Sequence, residues 1–128
     1  MIFNTSSTVK TARANVWLAA LSGGKVEFYS DIVSSNGGTP AGNMLASANL
    51  PAVAGSVASG AFSLATGVEA MATVSGSVGF ARFYNAANSW LFDVDCGLAG
   101  GGAGMILDVL SLQVGGKVII TAFVMNEP

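Results

Sequence analysis

The chain reads as all-β, an antiparallel β-sandwich or jelly-roll-like fold of about seven or eight strands with one N-terminal α-helix. Three observations predict it. Short runs alternate residue types with period two. Turns rich in Gly and Asn separate them. One early segment carries apolar residues at helical spacing instead. The 128 residues are read as a single domain, 1–128, long enough to bury a core, with residues 1–22 as an N-terminal arm and helix. No repeat of fixed period and no Pro-rich linker divides the chain.

Residues 1–4 read as an arm or a short strand. Thr5, Ser6 and Ser7 offer N-cap oxygens. Val9, Ala12, Val16 and Ala20 then recur at helical spacing, with Trp17 beside the stripe. Gly23 and Gly24 follow, and glycine is favoured just past a helix, so a helix is predicted over residues 7–21. Its stripe needs a cover, from the chain's own sheet or from a neighbouring subunit.

Residues 25–30, KVEFYS, form a strand with Val26 and Phe28 on one face. Residues 31–43, DIVSSNGGTPAGN, carry turn formers throughout and read as a long surface loop of the kind that meets partners. Residues 44–50 are a short strand that Pro51 ends. Residues 52–77 are rich in Ala, Gly, Ser and Val, with strands near 60–66 and 69–75. Their small side chains specify register weakly and let sheets approach closely.

Residues 78–97, VGFARFYNAANSWLFDVDCG, are the clearest stretch and read as a hairpin turning at Asn85-Ala86-Ala87-Asn88. In its first strand Phe80, Arg82 and Tyr84 share a face. In its second, Trp90, Phe92 and Val94 form an apolar face aimed at the core, opposite Leu91, Asp93 and Asp95. A lone hairpin is marginal in water, so other strands must cover it. Residues 105–112 and 117–125 read as two further long strands, with a helix as the open alternative for 105–113. The last strand is apolar on both faces and is therefore expected at the centre of the sheet, buried on both sides.

Composition excludes more than it selects. Charged residues make up 9% of the chain against a usual ~25%. A monomer needs surface charge to stay apart from its copies, so other subunits are expected to cover much of this surface. Lys10, Arg13, Lys25, Arg82 and Lys117 are scattered and the net charge is −2, which argues against nucleic-acid binding. No run approaches the 20 or so apolar residues of a spanning helix, so no membrane partner is expected. The first residues show no basic segment leading into an apolar run, so no signal peptide is expected and the chain is read as made in the cytoplasm.

Catalytic and ligand chemistry is equally sparse. There is no histidine, hence no usual general base and none of the commonest metal ligand. Cys96 is the single cysteine and reads as a small apolar filler, since no histidine stands ready to activate it. Residues 97–104, GLAGGGAG, lack the spacing and the Lys-Ser/Thr pair of phosphate loops and read as an inter-strand loop. Asp93 and Asp95 project from one side of a strand and could share a cation, but no third acid follows in a calcium-loop pattern. Arg82 on the adjacent strand is a candidate partner for either. Trp17, Trp90, Tyr29 and Tyr84 could make a sugar-stacking platform; the pattern around Trp90 points to the core, and Trp17 suits an interface equally well. No cofactor, catalytic residue or metal site is expected.

The segments TVKTARANVWLAAL, KVEFYS with Thr39-Pro40 after it, GFARFYNAANSWLFDVDCG and LDVLSLQVGGKVIITAFVM, in that order, resemble small accessory virion proteins of tailed bacteriophages. The resemblance implies a non-enzymatic capsid decoration, or cement, protein. Such a protein forms dimers or trimers, binds the major capsid protein and is located in the virion. The Ala-rich middle and long apolar strands depart from more polar relatives, which implies more burial between subunits. The expected contact residues are Val9, Val16 and Trp17 on the helix and Ile32, Val33, Thr39 and Pro40 on the loop. The rival expectation is a receptor- or glycan-binding module of a tail or fibre; an enzyme using Asp93 and Asp95 is the remotest reading.

Overall fold

A computed structural model describes residues 6–31, 38–40 and 42–126. The helix α1 (Ser7–Leu21) falls where the spacing predicts it. Ser6 caps it, its Oγ accepting from the Val9 N–H at 3.2 Å. At the other end the Ser22 hydroxyl donates to the Leu18 carbonyl at 2.6 Å and accepts from the Ala54 N–H at 3.2 Å.

Eleven strands follow among the described residues. They are β1 (Lys25–Tyr29), β2 (Met44–Asn49), β3 (Gly55–Ala58), β4 (Ala61–Leu64), β5 (Glu69–Ala72), β6 (Gly76–Ser77), β7 (Phe80–Tyr84), β8 (Trp90–Gly97), β9 (Met105–Leu107), β10 (Ser111–Leu112) and β11 (Lys117–Asn126). The main sheet runs β3-β4-β11-β5-β2-β1-β7-β8-β9, and β9 also pairs with β11. Seven strands, from β11 round to β9, therefore close into a barrel, and β3 and β4 extend outward from β11. Among the described residues only β8 and β9 run parallel. The long β11 pairs β5 through residues 117–119, β9 through residues 120–123 and β4 through residues 124–126. β6 and β10 form a separate two-stranded ribbon.

The core fills the barrel with Val26, Phe28, Leu45, Phe83, Leu107, Val118 and Ile120. Phe83 stacks on Phe92 at 4.8 Å and on Phe123 at 5.7 Å. A β-rich chain with one N-terminal helix is thus what the structure has. The pairing runs round one closed ring, so the hydrogen bonds do not trace the two separate sheets of a sandwich or jelly roll.

Three finer expectations need correction, and for the helix one of two alternatives drops out. The chain's own sheet does not cover Val9, Ala12, Val16 and Ala20, which leaves a neighbouring subunit as the expected cover of that stripe. The helix buries Ala14 and Leu21, with Trp17 and Leu18 half-buried between them, and packs them on β3, β4 and the core. Val9 and Val16 remain 46% and 65% exposed. The buried stripe at 14, 17, 18 and 21 has the same helical spacing, and where a helix is apolar on two sides spacing does not choose between them. Trp90 is not in the core: the β7–β8 register shifts between Phe83 and Tyr84, so Phe83 faces Phe92 while Tyr84 faces Trp90. That bulge puts Trp90 on the side of Asp93 and leaves it 42% exposed.

The strand β11 is central but not buried on both sides. A second register shift between Ile120 and Ala122 changes its inward set from Val118 and Ile120 to Phe123, leaving Ala122 and Val124 exposed. Finally, residues 105–112 are neither one strand nor a helix. β9 stops at Leu107, and Asp108 turns the chain by accepting the Ile119 N–H on its carboxylate at 2.7 Å.

Candidate functional site

The register places the outward residues of β1, β7 and β8 side by side. Lys25 faces Tyr84 and Tyr84 faces Trp90; Glu27 faces Arg82 and Arg82 faces Asp93; Tyr29 faces Phe80 and Phe80 faces Asp95. On this wall Arg82 is 5% exposed. Its Nε donates to Asp93 Oδ1 at 2.8 Å and its Nη2 to Oδ2 at 3.0 Å, a two-pronged pair. The same Nη2 donates to the Gly38 carbonyl at 2.8 Å, which ties Gly38 to the wall. The Trp90 indole N–H donates to Asp93 Oδ1 at 3.1 Å. Its hydrogen bond to the Asp93 carboxylate, opposed by burial, holds the Arg82 guanidinium above its ordinary range.

The other charges nearby are paired as well. Lys25 meets Glu27 at 3.3 Å and lies over the Tyr84 ring at 4.7 Å. The Tyr29 hydroxyl donates to Glu27 at 2.8 Å, and burial together with that carboxylate pushes its pKa up. Lys117 on β11 meets Glu69 on β5 at 3.4 Å. Asp95 accepts the Gly104 N–H at 2.9 Å and anchors the glycine-rich loop. No group of three or more Asp, Glu, Cys or His residues gathers among the described residues. The Cys96 thiol is pushed up to about 12, by burial first and then by Asp95, so it stays protonated at neutral pH.

The flank formed by α1, β3 and β4 differs. Residues 32–68 contain no charged side chain, and this stretch includes all of β3 and β4. Ser56 on β3 faces Ser63 on β4, which faces Val124 on β11. Val53, Ser56, Ala58 and Val124 are exposed there, as are Val9, Ala12, Val16 and Ala19 on the helix.

Of the expected contact residues, Val9 and Val16 therefore lie on a free helix face. Trp17 is half-buried, its ring edge-on to Phe92 at 5.3 Å. Thr39 is exposed and Pro40 half-buried beside the Gly38 anchor. Ile32 and Val33 lie outside the described residues. Sequence reasoning missed β3 altogether, because GSVA offers neither alternation nor bulk. Its one signal was Ser59-Gly60: both residues have positive φ, 51° and 79°, as a two-residue hairpin turn requires. Comparison with known protein families, with curated proteins and with solved structures finds no match.

Proposed function

We propose that the chain is a non-enzymatic assembly protein that works by associating with its own copies and with a larger shell. The phage resemblance names that shell as a capsid, with the chain as a decoration protein that braces the major capsid protein and resides in the virion. One observation carries the association reading: five of the twelve charged residues, Lys25, Glu27, Arg82, Asp93 and Asp95, share one wall and have partners within the molecule, while β3 and β4 carry no charge and present alanine, serine and valine beside the exposed Val9, Ala12, Val16 and Ala19 of α1, whose two charges are Lys10 and Arg13. A surface of that kind is solvated poorly and is covered best by another uncharged surface. Within this reading the closed ring acts as a flattened barrel, the joined counterpart of the expected sandwich or jelly roll.

Native mass spectrometry of the full chain at micromolar concentration tests the proposal. A dimer, trimer or larger species is the expected result, and a strict monomer overturns it.

A glycan-binding module is the second reading, and Trp90 favours it. Its ring is exposed, and its N–H is fixed to a carboxylate that Arg82 holds in place, so a sugar would meet a preset apolar plate. Sugar binding on a glycan array that disappears in Trp90→Ala would move the assignment to this reading.

A further inference from the structure

We infer that the free edge of β3 pairs, antiparallel, with the β3 edge of a second copy, with Ser56 opposite Ser56 across a two-fold axis. The inference rests on the assembly reading and gives it an interface and a register. In the main sheet β3 is the terminal strand, bonded among the described residues to β4 alone, while the other end of the order closes on β11. The Ser59-Gly60 turn makes Ala58 and Ala61 the closing pair of the hairpin. Antiparallel alternation then directs the N–H and C=O groups of Gly55 and Val57 away from β4. Such an edge is a template for another strand, and isolated proteins blunt theirs with lysine, proline, a bulge or a covering element. The residues of β3, Gly-Ser-Val-Ala, include no charge and no proline, and its pairing with β4 has no register shift.

The occupant is a second copy because the edge complements itself. With Ser56 on the axis, Gly55 of each copy faces Val57 of the other, and about four backbone hydrogen bonds form with no group left over. The outer rows join as Val124, Ser63, Ser56 and their two-fold mates, which brings hydroxyls and methyls together and no like charges. Lys10 on α1 packs against Gly60 at the far end of the hairpin. Four residues at roughly 3.3 Å each hold each Lys10 roughly 13 Å from the axis, so the two ammonium groups stand well beyond the Debye length of about 8 Å. An isologous contact of this kind closes as a dimer and leaves α1 and the charged wall free for a shell.

The register gives the test. Ser56 and its mate form a non-hydrogen-bonded pair, whose Cα atoms lie about 4.5 Å apart, within reach of a disulfide. In a Cys96→Ser background, Ser56→Cys is expected to yield a covalent dimer on mild oxidation, while Ala58→Cys in the same background yields far less. In sedimentation velocity, Ser56→Lys sets two ammonium groups face to face and is expected to weaken dimerisation at least tenfold. Ser56 is exposed, so the monomer's circular dichroism should not change. A wild-type oligomer that Ser56→Lys leaves intact and Ser56→Cys does not cross-link overturns β3 pairing but leaves the assembly reading standing. A wild-type chain that stays monomeric overturns both.

Discussion

The wall of β1, β7 and β8 and the flank of α1, β3 and β4 belong to one small domain and solve opposite problems. The wall collects Lys25, Glu27, Arg82, Asp93 and Asp95, and each has a partner within the molecule. The flank has small side chains on β3 and β4 and two charges, Lys10 and Arg13, on α1, and among the described residues no strand pairs with the outer edge of β3. A chain with twelve charged residues, five basic and seven acidic, would dissolve best as a monomer if it spread them out. Here five of them are spent on one wall, holding the hairpin, Gly38 and Gly104. Charge on the wall serves internal order; neutrality on β3 and β4 leaves a surface for something else to cover.

Substitutions should separate the two regions by what they damage. Phe83→Ala opens a cavity beneath the wall where three aromatic rings stack. It should cost about 4 kcal/mol in urea unfolding, the largest effect expected. Asp93→Asn leaves a buried guanidinium without its carboxylate and should cost about 3 kcal/mol. That is the low end for such a pair, because Gly38 still accepts from Arg82. Trp90 fluorescence should shift with it, since the indole loses its charged acceptor.

Alkaline pH is a milder probe of the same wall. The folded state raises the pKa of both Cys96 and Tyr29, so it favours their protonated forms. Stability should be level while the unfolded thiol is also protonated, then fall as pH rises through the ordinary thiol value near 9. Thermal melts from pH 7 to 10.5 read this directly, and Cys96→Ser should flatten the early part of the decline. Val16→Lys on the flank should leave unfolding within about 0.5 kcal/mol of wild type and act on association alone. If it destabilised the fold by as much as Asp93→Asn, the contrast between the regions would disappear.

The same contrast explains what could be read from the sequence. The helix bounds, the strand at KVEFYS and the Asn-turned hairpin were legible because Ser6, Gly23, Gly24, Asn85 and Asn88 mark their ends by local chemistry. The pairing of Arg82 with one of two aspartates was also visible, since facing strands bring them together. The barrel closure was hidden, because it depends on β11 changing partners along its length. The sides of Trp90 and Phe123 were hidden for a related reason. One bulged residue inverts every later face of a strand, and neither bulge carries a glycine or another local mark. On the helix, apolar residues on two sides left the choice of buried face to tertiary packing.

Amide hydrogen exchange of the full chain across a dilution series tests most directly whether the neutral β3 edge is covered by like copies. The account predicts that β3 loses protection on dilution from hundreds of micromolar to below one micromolar, while β7 and β8 keep theirs. Protection of β3 that does not change with concentration would contradict it.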